Sequence, residues 1–150
     1  MAKAATDGDW RRYEAEKEAY DVIRDVVIGD AEEHGMTLRQ QLKLELGLEE
    51  MLVNIISYAY DKKGYVWVRT SVDGEIFRLE LADHGVHFDP LEKDRRRTKD
   101  VPTTDQEEGG YGIFLVKKNF SFVGYEYEEL FGKMANHLTM ELPLSWQSGK

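Results

Sequence analysis

The sequence predicts an α+β protein, a two-layer sandwich in which helices cover one face of a largely antiparallel sheet. Three observations carry that expectation. Apolar residues recur at helical spacing over roughly the first sixty positions. The period then changes to two after Lys62-Lys63-Gly64. Finally, a glycine-led helix separates that first strand pair from a second pair near the C-terminus.

Residues 1–9 form a polar tail, and 10–150 are expected to form a single domain. Trp10, Tyr13, Tyr20, Ile23 and Val27 fall at three-, four- and seven-residue steps, which predicts a first helix from Trp10, with Gly29 and Gly35 as candidate ends. Thr37-Leu38-Arg39-Gln40 is a T-x-x-Q capping box that opens a second helix running to about Tyr60. Its apolar content is Leu38, Leu42, Leu46, Leu52, Ile55, Ile56 and Ala59. Tyr65–Val72 and Glu75–Ala82 flank Asp73-Gly74, a two-residue hairpin signal. The 18 residues 91–108 carry eleven charges and no period, and a connection that long is usually functional or disordered. Gly109-Gly110-Tyr111-Gly112 then opens a helix from Ile113 to about Asn119, and strands near 121–127 and 136–142 close the chain.

Composition removes several function classes. With 20 basic against 29 acidic residues the net charge is −9, which disfavours direct nucleic-acid binding. Cysteine is absent, so disulfides, a Cys nucleophile and thiolate metal sites are excluded. Apolar runs reach four residues, as in Ile113 to Val116, so no membrane span is expected. The opening MAKAATDGDW has no apolar core of a secretory signal, and a cytoplasmic location is expected.

Three elements could carry chemistry. Asp83 extends the strand face of Phe77, Leu79 and Leu81, so a carboxylate ends a row aimed at the core. Taken alone it reads as a solvated turn residue; Gly85 and Phe88-Asp89-Pro90 just beyond favour a ligand site. Glu50 and Asn54 lie at i and i+4 with Lys43, Gly47, Ser57 and Asp61, a stripe that periodicity alone reads as a solvent-facing edge. A functional reading pairs a proton acceptor with an amide oxygen suited to a hard metal ion. Gly109-Gly110-Tyr111-Gly112 could present helix N-terminal N–H groups to phosphate. No Gly-Lys-Ser/Thr occurs, so this is not a Walker A loop. The four histidines make no metal-ligand spacing, and Phe120, Phe122, Tyr125 and Tyr127 read as strand packing.

In this order the three elements resemble the GHKL, or Bergerat-fold, ATPases. Glu50-Met-Leu-Val-Asn54 looks like the E-x-x-x-N box, and Asp83-His-Gly85-Val-His-Phe88-Asp89-Pro90 looks like the D-x-G-x-x-F-D-P box. Gly109-Gly110-Tyr111-Gly112-Ile113 looks like the second glycine box. The short length, the F-D-P ending and Gly132-Lys133 with Asn136-His-Leu138 look most like the anti-sigma-factor serine kinases of bacterial partner switching.

The resemblance implies a Bergerat ATP-binding fold with a mixed, largely antiparallel sheet, and ATP and Mg²⁺ as cofactors. Asp83 would bond the adenine amino group, Gly85 would let the base sit close, and Asn136 would contact the base. Phe88 would join the nucleotide site; Asn54 would coordinate Mg²⁺, and Glu50 would be the catalytic base. Gly110 and Gly112 would cradle phosphates, which Thr103 and Thr104 could also reach. Residues 91–108 would form the ATP lid, where Arg95-Arg96-Arg97 reads as a solvated charge run or a phosphate clamp. The implied activity is ATP-dependent phosphorylation of a STAS-domain anti-sigma antagonist by a kinase that also binds a sigma factor, with a homodimer left open. The alternative is a nucleotide-gated binding module without kinase activity. Three features depart from the family pattern. Only nine residues precede Trp10, so the strand that usually comes before the first helix is expected to be missing. Tyr58 stands where a His is common, and two extra residues separate Lys133 from Asn136.

Overall fold

The computed structural model describes residues 9–93 and 108–145. Its elements run β1 (Arg11–Glu14), α1 (Lys17–Glu33), α2 (Leu38–Asn54), a π-helical turn (Ile55–Ala59), β2 (Tyr65–Asp73), β3 (Ile76–Asp83), a 3-10 turn (Pro90–Lys93), α3 (Glu108–Asn119), β4 (Phe122–Leu130) and β5 (Lys133–Pro143). The five strands form one sheet in the order β1-β2-β3-β5-β4, and every pairing is antiparallel. The α+β sandwich is therefore as expected, while the parallel component implied by a mixed sheet is not found among the described residues.

The N-terminal segment corrects the sequence reading. Trp10 and Tyr13 do not belong to the first helix. Residues 11–14 form the strand expected to be missing, and they pair with β2 through Arg11↔Val68 and Tyr13↔Val66. Helix α1 starts only at Lys17. It ends in a Schellman arrangement, with Met36 N–H on Ala31 O, Gly35 N–H on Glu32 O, and Gly35 at φ +86°. Gly29 lies inside α1 and ends nothing.

Helix α2 begins as the capping box requires, Thr37 accepting from Gln40 N–H at 3.3 Å. The Gln40 side chain does not close the box; it donates instead to Pro143 O at 2.9 Å, tying α2 to the end of β5. Leu38, Leu42 and Leu46 are exposed, and the buried row is Leu44, Leu48, Met51 and Leu52. Both rows step by four residues, but Leu44 lies six residues beyond Leu38, about 240° around a 3.6-residue helix, so the two rows face different sides and only one meets the core. In the first hairpin Asp73 pairs with Ile76, so the loop is Gly74-Glu75, one residue later than expected, with Gly74 at φ +63°.

All three helices lie on one sheet face. Ile23 and Val27, the buried row of α2, and Ile113 and Val116 of α3 close over Phe77, Leu79, Leu81, Met140 and Leu142. Gly47 brings α2 against Phe120, whose ring occupies the space a Cβ would need. The opposite face carries no helix among the described residues.

Candidate functional site

At the C-terminal end of β3 the covered face opens into a cavity of about 260 Å³. Its walls are mostly apolar: Met51 and Ile55 from α2 and the π-helical turn, Ala59, Leu81 and Leu138, with Val86 and Phe88 from the loop after β3. Asn54, Tyr58, Asp83, Tyr125 and Asn136 are the polar groups. Few convergent polar groups in an apolar hollow are the usual composition of a small-molecule site.

Asp83 is buried at 4% exposure. Its Oδ1 accepts from Gly85 N–H at 2.8 Å and from Asn136 Nδ2 at 2.9 Å. Oδ2 has no protein hydrogen bond among the described residues and is left to whatever fills the cavity. Burial pushes the carboxyl above its ordinary range, and the bonds from Asn136 and Gly85 only partly offset this. The solvated-turn reading of Asp83 is thereby overturned.

Asn136 is also buried, and it stands opposite Asp83 in the β3–β5 register. It bonds protein on all sides: Nδ2 also donates to Val86 O at 2.8 Å, and Oδ1 accepts from Tyr125 OH at 2.5 Å and Phe88 N–H at 3.1 Å. Its amide is thus engaged by protein groups of the cavity wall, and it holds Asp83, Val86 and Phe88 together. Gly85 too differs from expectation. The room for its missing Cβ is taken by the Ala59 backbone, and Val86 N–H bonds Ala59 O at 2.9 Å. The glycine lets the loop meet the π-helical turn, a helix defect often found beside functional sites. Tyr60 adds a second tie, accepting from His84 N–H at 2.7 Å while donating to Tyr65 O at 2.5 Å.

Glu50 and Asn54 do not form a solvent-facing edge. Gly47 on their stripe is buried, Glu50 and Asn54 are part-buried, and a Cβ at Gly112 would run into the Glu50 carboxylate. The buried Nδ2 of Asn54 has no hydrogen-bond partner among the described residues. Helix α3 starts at Glu108, five residues earlier than expected. Gly109 and Gly110 thus lie in its first turn, where N–H groups lack intrahelical partners, and Gly112 lies beyond it. Thr103, Thr104, Arg95–Arg97 and most of the expected lid (94–107) lie outside the described residues.

Sequence reasoning missed Tyr125, assigned to strand packing although it lines the cavity and holds Asn136. The available signal was alternation, since Val123, Tyr125 and Tyr127 share one face of β4. Of the other aromatics, Phe120 is buried, whereas Phe122 and Tyr127 are exposed, Tyr127 stacking on His87 at 3.9 Å.

The described residues thus form an antiparallel sheet covered on one face, with a carboxylate-ended cavity beside a glycine-led helix. The chain belongs to the histidine kinase-like ATPase domain family, which matches residues 13–142. Within it the chain is related to serine-protein kinases. RsbW of Bacillus subtilis strain 168 is 32% identical over 108 residues, covering 69% of this chain and 68% of that protein. RsbW of Bacillus licheniformis is 31% identical over 120 residues, covering 77% and 75%. The histidine kinase AdeS of Acinetobacter baumannii aligns with 91% of this chain and 68% of that one, at 11% identity and a TM-score of 0.46. Among the described residues no helix is long and apolar enough to cross a membrane.

Proposed function

We propose that the chain binds Mg²⁺-ATP in this cavity and transfers the γ-phosphoryl group to a serine of a STAS-type anti-sigma antagonist, acting also as an anti-sigma factor. The observation that carries the nucleotide reading is Asp83. Its buried carboxylate has one oxygen saturated by protein and one left over in an apolar hollow, as recognition of an amino group on a flat base requires. Kinship to the RsbW serine-protein kinases supports serine as the phosphoryl acceptor, and the STAS-type partner is what the sequence resemblance implies.

The residues present fit a magnesium ion. Among the described residues there is no cluster of three or more His, Asp or Glu to form a protein cage. Mg²⁺ bound to nucleotide commonly takes one or two protein oxygens and fills its shell with phosphate and water. Asn54, an amide with an orphaned nitrogen among the described residues, would supply such an oxygen. The ion, when bound, neutralises charge on the triphosphate. Gly110 and Gly112 would bring the start of α3 close to the phosphates. Glu50, packed beside Gly112, would take the serine hydroxyl proton as the oxygen bonds phosphorus and ADP departs. Phe88 and Val86 would wall the base, and Thr103 and Thr104 would meet the phosphates from the lid.

The test is incubation of the chain with γ-labelled ATP and a STAS-domain protein. Phosphoserine on the STAS protein is the expected result. Nucleotide-dependent capture of the partner without label would replace the kinase by the gated binding module.

A further inference from the structure

We infer that Asn136, oriented by Tyr125, is a positioning residue that sets selectivity for an adenine-type base: it touches no part of the nucleotide but fixes which oxygen of Asp83 faces it. The inference rests on the nucleotide reading above and assigns a specificity mechanism within that site.

An amide side chain has two donors and two acceptor lone pairs, and in Asn136 all four are engaged. The donors go to Asp83 Oδ1 and Val86 O, and the acceptor takes Tyr125 OH and Phe88 N–H. Rotating the amide by half a turn would set its oxygen against two other oxygens, so the network admits one orientation. Asn136 therefore does two things at once. It saturates Oδ1 of Asp83, leaving Oδ2 for the ligand, and it holds the Val86 and Phe88 backbone that walls the cavity. With Oδ2 presented only as an acceptor, an exocyclic amino group is accepted, and a base with a carbonyl oxygen at that position meets repulsion.

The experiment measures binding of non-hydrolysable ATP and GTP analogues to the full chain and to Asn136→Asp and Tyr125→Phe variants by calorimetry between pH 5.5 and 8.5. A melting curve for each protein monitors folding. Titratable groups around the cluster are Asp83 and His84 at the end of β3, His87 and Asp89 on the loop, with the His87 ring stacked on Tyr125 and Tyr127, Tyr60 after the π-helical turn, and Tyr125 and Tyr127 on β4. All but Tyr125 are common to the three proteins, and Tyr125 is shared by the parent and Asn136→Asp. The affinity ratio of that variant to the parent thus isolates the introduced carboxyl, and protonation of the nucleotide cancels.

Two carboxylates in contact cannot both ionise easily. Asn136→Asp is expected to bind the ATP analogue about 10–100-fold more weakly than the parent at pH 8.5, the cost of losing a hydrogen bond to a charged group. The ratio should recover as acid supplies the shared proton that restores a donor to Oδ1. Tyr125→Phe should narrow the preference for ATP over GTP several-fold. A parent that binds neither analogue overturns the nucleotide reading and this inference with it. A parent that prefers ATP, with an Asn136→Asp variant that loses both analogues equally and shows a flat ratio across pH, overturns the inference alone. If Asn136→Asp does not fold, an unchanged preference in Tyr125→Phe overturns it.

Discussion

Strand β3 buries two carboxylates three residues apart, and because side chains alternate they sit on opposite faces of the sheet. Glu80 is on the face without helices. Arg69 grips both its oxygens at 2.8 Å, and His137 Nε2 lies 2.8 Å from Oε1. Burial acts to raise its pKa, but the bonds from His137 and Arg69 prevail and bring it to about 2. Asp83, on the covered face, is as deeply buried but is held only by an amide and a backbone N–H, and its pKa is raised. Burial alone therefore says little about role. A carboxylate paired with basic groups serves the scaffold, whereas one left an oxygen short beside a cavity is the group that the proposed function assigns to the ligand.

The severest break in this comparison comes from a third carboxylate, Glu50, to which the proposed function gives the proton-accepting step. Glu50→Ala should leave ATP affinity near that of the parent and lower phosphoryl transfer about 10²–10⁴-fold, the usual worth of a general base. Single-turnover transfer from labelled ATP measures it. Full turnover in the variant would remove Glu50 from the chemistry.

Glu80→Ala attacks the scaffold. It strands Arg69 and His137 beside a buried gap, and removing one partner of a buried ion pair costs about 3 kcal/mol at the low end. The low end applies because Arg69 keeps 28% of its side chain exposed. At about 2–4 °C per kcal/mol for a chain of this size, the melting temperature should fall on the order of 10 °C. Nucleotide affinity should hold in the folded fraction. The same group sets the acid limit. Its folded pKa, about 2, lies below the ordinary 4.5, so its stabilisation is present above pH 4.5 and disappears as pH falls toward 2. That loss is roughly 3 kcal/mol in the parent and absent in Glu80→Ala, which acid melts compare directly.

Asp83→Asn should do the reverse. The new amide can keep its oxygen on Gly85 and Asn136 and put its nitrogen where Oδ2 was. Stability is expected to hold, because a desolvated charge is removed. ATP affinity should drop about 10–100-fold with the loss of a charge-assisted acceptor. Calorimetry showing equal ATP and GTP binding in the parent would undo the assignment at its root.

How far each carboxylate was legible in the sequence follows from the range of its contacts. Asp83 stood out because the Phe77-Leu79-Leu81 row is local, and so did the Thr37 cap and the Gly74 hairpin. The partners of Asp83 did not. Asn136 is 53 residues away and reaches it through the β3–β5 register, and Tyr125 requires the β4–β5 register as well. Strand β1 was hidden for the same reason. Its four residues are a strand because β2 pairs with them, while Trp10 and Tyr13 happened to match a helical spacing. In α2 the exposed leucines mimicked a core row because a four-residue step nearly fits a 3.6-residue turn.

The smallest expected effect tests whether the two faces are independent, since His137 of the charged face adjoins Asn136 of the cavity face on β5. Its bond to Glu80 raises the pKa of His137 above 6.5 against the opposing effect of burial, with Glu128 adding a second carboxylate at 2.5 Å. A raised histidine contributes stability that is whole below pH 6.5 and is lost as pH climbs through the folded value. The neutral ring can still donate from Nε2 to Glu80, so the bond given up is the one to Glu128. That carboxylate is 39% exposed, which limits the loss to about 1 kcal/mol or less. The melting temperature should therefore decline gently on the alkaline side, and His137→Gln should flatten the decline. The Trp10 ring is 5.6 Å from the imidazole and Trp67 is 4.6 Å from His84, so the difference in tryptophan emission between the parent and His137→Gln reports the titration. Over the same range the ratio of ATP affinities of His137→Gln and the parent, in which protonation of the nucleotide cancels, should stay level, because Asp83 and Asn136 point to the other side of the sheet. A ratio that follows the His137 titration would mean that β5 transmits the state of the open face into the cavity, and the division between scaffold and ligand carboxylates would fall.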